Sequence, residues 1–220
     1  MPSYKLRNET NHLLAELEGG LALIDTGSRR SYGAGRPFEI GETPYMPTDD
    51  APSLRKISQE LGVEVNWLIG NDVLRDWVVM LDWNAGEIRF ERSPFEINGT
   101  EIPVHLPRGW PLLDISVDGR TVEAVLDSGA QRSYSDPETA STHASIGVAD
   151  DFHLEYGRFK TQLYRVPLVV GGRAIDVQWG ILPDRLHDLL SIARWILGID
   201  FFRERRIAVD LAKGRVVDSP

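Results

Sequence analysis

The chain has 220 residues, with 33 Asp or Glu against 24 Lys or Arg, a formal charge of −9 and a pI near 5.1. That length suits one large domain or two small ones burying roughly 70% of the unfolded surface, and 42% hydrophobic with 26% charged residues excludes wholesale disorder. The acidic balance argues against a nucleic-acid partner, the absence of cysteine excludes disulfides, thiolate metal sites and thiol nucleophiles, and no run approaches the ~20 apolar residues of a membrane span.

The N-terminus, MPSYKLRNET, lacks the apolar stretch of a secretory signal, so the expected location is cytoplasmic. HLLAELEGG leads into LALIDTGSRRSY (21–32), a strand pattern that ends at Asp25-Thr26-Gly27. Asp49-Asp50 reads as solvated loop charge, and APSLRKISQELG as a helix closed by Gly62. After Leu68-Ile69-Gly70 a short helix capped by Asp72 is expected, then a hairpin turning at Asn84-Ala85-Gly86. ERSPFEINGTEIPVHLPRGWP joins two halves and adds a strand or two; its Asn98-Gly99 reads as a turn rather than a glycosylation site. LDISVDGRTVEAVLD is a hairpin turning at Asp118-Gly119, and it ends at Asp127-Ser128-Gly129. Asp150-Asp151 again reads as solvated loop. Strands follow around Tyr156-Gly157 and Gly171-Gly172, then Ile196-Leu197-Gly198, a short helix capped by Asp200 and a turn at Ala212-Lys213-Gly214.

The chain is written twice. LALIDTGSRRSY aligns with EAVLDSGAQRSY (123–134), matching Asp25 with Asp127, Gly27 with Gly129, Arg30 with Arg132, Ser31 with Ser133 and Tyr32 with Tyr134. Downstream, GNDVLRDWVVMLDWNAGEIRF and GIDFFRERRIAVDLAKGRVVD align without a gap at the offset between Gly70 and Gly198. Several separated identities in one unshifted register are hard to obtain by chance.

Each half thus carries two apolar residues and Asp-Thr/Ser-Gly, then much later two apolar residues and Gly. This order resembles the pepsin-like and retropepsin-like aspartic endopeptidases, and specifically a small, two-lobed, single-chain, bacterial-type pepsin homologue. The resemblance implies a mainly β protein in which two pseudo-symmetric retropepsin-like lobes, residues 1–96 and 97–220, form a reduced pepsin-like acid-protease fold. It implies a catalytic dyad of Asp25 and Asp127, no cofactor and no metal, and a peptide or protein substrate. Two carboxyl groups held close together cannot both ionise cheaply, so they share a proton, and one acts as base while the other acts as acid; aspartic proteases are the standard example of this logic. Two homologous lobes complete one site, so an active monomer is expected.

By the same resemblance Thr26 and Ser128 brace the two catalytic loops through their hydroxyls, and Gly27 and Gly129 bring backbone amides to the carboxylates. The fourth positions differ, Ser28 against Ala130. A hydroxyl from Ser28 would stabilise one carboxylate, so the expected pH optimum is acidic but not below about 3. From Asp25 to Gly70 is 45 positions, and from Asp127 to Gly198 it is 71. The longer second half has room for a flap hairpin, with Tyr156 and Gly157 as its substrate-facing residues, although in ordinary pepsins the principal flap belongs to the first lobe.

Other chemistry finds no support. His12, His105, His143, His153 and His187 show no metal-ligand spacing, and no serine-nucleophile elbow or phosphate loop occurs. The tryptophans read as core or cleft wall. The alternative reading is a catalytically inactive pepsin-like peptide-binding or regulatory module, but a pure binder has no chemical need for two such triplets.

Overall fold

The computed structural model describes residues 1–7, 10–92, 98–186 and 192–219. His187 and the expected lobe boundary at 96/97 lie outside them. In the first half, strands β1 (Ser3–Arg7), β2 (Leu14–Leu17), β3 (Gly20–Ile24), β4 (Tyr32–Gly33), β5 (Phe38–Ile40), β6 (Thr43–Tyr45) and β7 (Thr48–Asp49) precede helix α1 (Ala51–Leu61). Strand β8 (Trp67–Ile69), helix α2 (Asn71–Leu74) and strands β9 (Val78–Asp82) and β10 (Glu87–Glu91) complete it. The second half runs through β11 (Thr100–His105), β12 (Leu112–Val117), β13 (Arg120–Leu126), β14 (Ser133–Ser135), helix α3 (Pro137–Ala140), β15 (Ser145–His153), β16 (Gly157–Val170), β17 (Arg173–Ile181), β18 (Trp195–Leu197), β19 (Arg206–Asp210) and β20 (Arg215–Ser219).

The repeat in sequence is a repeat in register. β3 runs parallel to β8, pairing Ala22 with Trp67 and Ile24 with Ile69; β13 runs parallel to β18, pairing Ala124 with Trp195 and Leu126 with Leu197. In each half the strand ending at an aspartate is therefore clamped by the apolar-apolar strand that precedes a glycine. The halves then share one antiparallel sheet in the order β1–β10–β9–β19–β20–β11. At its centre Met80 pairs with Ala208, its own counterpart in the repeat, so a pseudo-twofold axis passes through that pair. A mainly β protein with this symmetry matches the fold class implied by the sequence.

The turns follow local chemistry. Asp118 and Gly119 both adopt positive φ, 49° and 74°, as a tight hairpin with right-handed twist requires. Asp82 and Asp210 each accept a bond from the backbone three residues on, at 2.9 and 3.1 Å, and so shape the turns at Gly86 and Gly214. Core residues from both halves form one cluster that includes Trp67, Phe90, Trp179, Trp195 and Phe201. Among the described residues no helix is long and apolar enough to cross a membrane.

Three local expectations change. Asp50 is not a free loop charge: its carboxylate accepts from Ser53 N at 3.1 Å and caps α1, which closes at Gly62 with φ 68°. Asp151 is buried, taking bonds from the Tyr134 hydroxyl and the Gln131 amide and from Phe152 N at 2.7 Å. Asp72 lies inside α2 and Asp200 inside a short 3-10 turn, Ile199–Phe201, and neither side chain caps its helix. Asp72 instead accepts from Ser31 N (3.1 Å) and Ser31 Oγ (2.6 Å), and Asp200 from Ser133 N (3.3 Å). In all three cases a partner distant in sequence, or a helix start one residue away, outcompetes the assumed environment.

Replacing Asp50 by Ala removes the α1 cap and is expected to lower stability by about 1 kcal/mol. Urea midpoints of the two proteins at equal slope measure it.

Candidate active site

Asp25 and Asp127 sit where β3 and β13 end. Asp25 N donates to Ile69 O at 3.0 Å and Asp127 N to Leu197 O at 2.9 Å, so each catalytic-type loop leaves the sheet still pinned to its neighbour. The chain following β8 and β18 then threads behind the loops. Asn71 N donates to Ser28 O at 2.8 Å and Ile199 N to Ala130 O at 2.9 Å. Gly70 and Gly198 occupy the crossing points, where a methyl group would collide with the carbonyls of Arg30 and Ser28, or of Arg132 and Ala130. This is the physical need for glycine after each apolar pair.

A second repeated unit secures the crossing. Ser31 Oγ accepts from Gly70 N at 3.0 Å while donating to Asp72; Ser133 Oγ accepts from Gly198 N at 3.0 Å while its own backbone N–H donates to Asp200. Sequence reasoning did not single out these serines, although their identity at matched positions of the repeat was a usable signal.

The two loops are held to each other by crossed hydroxyls. Thr26 Oγ1 donates to Leu126 O (2.7 Å) and accepts from Ser128 N (2.9 Å). Ser128 Oγ donates to Ile24 O (2.7 Å) and accepts from Thr26 N (3.0 Å). Both side chains are buried, so these four bonds form out of water's reach.

The same lock sets the carboxyl groups face to face. A methyl on Gly27 would strike the Asp127 carboxylate, and one on Gly129 would strike that of Asp25. The two carboxyls hydrogen-bond each other. Burial, then the charge of Asp127, pushes Asp25 well above the usual carboxylate range, against the opposing N–H bonds of Gly27 and Ser28. Burial also raises Asp127, opposed by N–H bonds from Gly129 and Ala130 and by the hydrogen bond from Asp25. Both carboxyls are thus pushed toward the neutral form, and the pair as a unit holds on to a proton above the usual carboxylate range.

Ser28 acts differently from its expected role. Its backbone N–H, not its hydroxyl, reaches Asp25 Oδ1 at 3.0 Å, and Ala130 N makes the equivalent bond to Asp127 at 3.0 Å. The Ser28 hydroxyl turns away to Arg30 O at 2.8 Å. Serine and alanine are interchangeable as far as this bond is concerned, so the argument for a milder optimum from the Ser28/Ala130 difference falls away.

Tyr156 and Gly157 lie at the tip of the β15–β16 hairpin. Gly157 takes φ 88°, and the exposed Tyr156 ring rests edge-on against Phe159 with centroids 5.9 Å apart. The hairpin reaches the other half. Leu154 packs on an apolar cluster made by Leu54, Ile57 and Leu68 with Tyr32 and Leu61, and Arg158 Nε pairs with Glu60 on α1 at 3.0 Å. In the first half, the short β5–β6 hairpin buries Phe38 and Ile40 in the core, and its Gly41 N donates to Tyr4 OH. Among the described residues no cluster of three His, Asp or Glu could hold a metal ion.

No protein-family profile and no curated protein matches the sequence. Solved structures do match in shape. An aspartic proteinase from Irpex lacteus aligns over 99% of this chain and 96% of its own, with a TM-score of 0.58 and 10% identity. Basic 7S globulin from soybean aligns over 99% and 93%, with a TM-score of 0.57 and 10% identity. The simian foamy virus (mac) protease covers 40% of this chain and 86% of its own, at 17% identity and a TM-score of only 0.31. At these identities the two full-length likenesses establish the pepsin-like fold and nothing beyond it.

Two outcomes are expected. Thr26→Val strands a buried carbonyl and a buried N–H, so it should cost about 3 kcal/mol. Combined with Ser128→Ala, the loss should fall short of the sum by about 1 kcal/mol or more, because both hydroxyls hold the same pair of loops; a double-mutant denaturation cycle measures this. The second concerns pH. A carboxyl whose folded pKa is raised binds its proton more tightly in the folded state, so its contribution to stability falls as pH rises from the unfolded value of about 3.9 through the folded one. Asp25→Asn removes that loss. Its stability should gain on wild type across this window, by about 1.4 kcal/mol for each unit of the shift, and denaturation midpoints over a pH series report it.

Proposed function

We propose that the protein is an aspartic endopeptidase that hydrolyses peptide bonds with water activated between Asp25 and Asp127. The observation that carries this reading is the pair of carboxyls itself. They come from equivalent positions of two halves, each lies against the glycine of the opposite loop, and burial raises both above the usual carboxylate range.

The chemistry follows from a single proton shared by the pair. A water bound between the carboxyls gives a proton to Asp127 as its oxygen attacks the peptide carbonyl carbon. Asp25 gives its proton to the carbonyl oxygen, forming a neutral gem-diol. Asp127 then passes its proton to the amide nitrogen while Asp25 recovers one from a diol hydroxyl, and the C–N bond breaks. A carboxylic acid and an amine leave, and the dyad again holds one proton. Because the two loops are locked together before substrate arrives, little reorganisation is needed during the reaction.

One chain supplies both carboxyls, which supports an active monomer. The β15–β16 hairpin, anchored across to α1 by Leu154 and Arg158, supports a flap role for the segment carrying Tyr156 and Gly157. Such a cover excludes water from the cleft and has to open for substrate. An extended peptide with apolar residues beside the cut, bound partly through its backbone, is the substrate class that this reading favours.

The second reading is a catalytically idle peptide-binding module. The same fold is shared by a proteinase and by a globulin, and shape does not separate these. Activity does. Wild type should cut a proteome-derived peptide mixture at acid pH, and Asp25→Asn should lose at least about 1,000-fold in rate, as expected when the acid and the shared proton are both removed. The alkaline limb of the rate profile should lie above the ordinary carboxylate range, because Asp25 holds its proton longer. Equal cutting by both proteins would end the proposal, and peptide binding without any cutting would favour the module.

A further inference from the structure

The pseudo-twofold pairs residues around the dyad that are not alike. Ile24 N donates to Leu13 O at 2.9 Å and Leu126 N to Pro111 O at 2.8 Å, so Leu13 and Pro111 are equivalent, and with them His12 and Trp110. The repeat equally pairs Arg29 with Gln131. One flank of the dyad thus carries His12 and Gln131, the other Trp110 and Arg29.

The first flank is occupied by the protein itself. The Gln131 amide donates to buried Asp151 on β15, the Tyr134 hydroxyl donates to the same carboxylate, and Arg132 Nε lies 3.8 Å from it. The Gln131 amide and the Arg132 charge are thus both directed at Asp151 from within.

The second flank is open. Trp110 Nε1 donates to Gly27 O at 2.9 Å, which fixes the indole beside the Asp25 loop. The Arg29 guanidinium lies over that ring, 4.5 Å from its centroid. Its stem runs past Gly109, where a methyl would approach Cγ and Cδ to 3.6 Å. Arg29 is exposed, and among the described residues no carboxylate pairs with it, nor with its neighbours Arg30 and Arg108. Beside the dyad, the guanidinium therefore keeps its donors available for a carboxylate brought by a ligand.

We infer that Arg29 is a specificity-determining residue that reads an acidic side chain of the substrate on one side of the scissile bond. A guanidinium already held over an aromatic face loses little freedom when a carboxylate docks, and its donor fork matches carboxylate geometry with two parallel bonds. Arg30 and Arg108 add local positive potential, whereas the acidic remainder of the protein repels polyanionic chains. The preferred ligand is therefore a peptide with a single Glu or Asp in an otherwise apolar stretch. The opposite flank, with Gln131 and Arg132 already engaged by Asp151, offers no equivalent cation, so the preference is one-sided.

This inference rests on the endopeptidase reading, and its test separates the two. A fluorogenic peptide cut by wild type is remade with Glu, Gln or Lys at each of three residues on either side of the bond. Wild type should favour Glu over Gln by about 10-fold in kcat/KM at one position, on one side only, and less so at high salt. Arg29→Gln should bring the ratio at that position close to 1, and Arg29→Glu should turn it toward Lys. A wild type indifferent to Glu at every position, or a ratio unchanged in Arg29→Gln, would overturn the inference. The same labelled peptides are titrated onto Asp25→Asn protein with and without Arg29→Gln, read by fluorescence anisotropy. Should wild type cut nothing, the endopeptidase reading fails by itself. Glu-selective binding lost with Arg29 would then still support the inference, and absent or unselective binding would refute it.

Discussion

Thr26 and Ser128 each give a hydroxyl proton to a carbonyl of the opposite half and each receive a backbone N–H from the other's loop. Through those four bonds, two chain segments about a hundred residues apart behave as one rigid unit. Almost everything at the centre depends on that lock. The carboxyl groups resist being brought together, since burial and mutual repulsion both penalise their charge. They stay in contact because the loops that carry them cannot separate without stranding buried polar groups.

The glycines complete the constraint from the other direction. With the loops fixed, Gly27 and Gly129 lie under the opposite carboxylates, where a side chain would push the halves apart, and Gly70 and Gly198 lie under carbonyls of their own half, where a side chain would push each loop off the strand that threads behind it. The large shared sheet works to the same end at longer range. By pairing Met80 with Ala208 it places the symmetry axis where the two lobes' strands meet. Symmetric backbone geometry then delivers two equivalent aspartates, and burial raises both above the usual carboxylate range.

Outside this centre the symmetry is deliberately incomplete. The second half spends its additional length on the β15–β16 hairpin, which is held near its tip by Asp151 and leans there on α1 of the first half. The corresponding hairpin of the first half is short and folds into its own core. One flank of the dyad is thereby filled from within and the other is left with a free cation on an aromatic shelf. A duplicated chain has in this way acquired a direction along its cleft.

How much of this was legible beforehand depended on how local the physics is. The duplicated Asp-Thr/Ser-Gly triplets, the apolar pairs before Gly70 and Gly198, the α1 helix ending at Gly62 and the turns at Gly119, Gly86 and Gly214 are written in neighbouring residues, and the amino-acid order alone determined them. The directions of single polar groups are decided by what arrives from elsewhere. Asp151 is buried because Tyr134 and Gln131 reach it, Asp72 abandons its helix for Ser31, and the Ser28 hydroxyl turns to Arg30 while its amide serves the carboxylate. Leu154 meets Ile57 only once both halves have folded. A hydrogen bond or an apolar contact selects the best partner in space, and position along the chain fixes that partner only when it lies within the same turn or strand. The sequence could therefore declare two matching halves, and only their assembly could settle which groups face which.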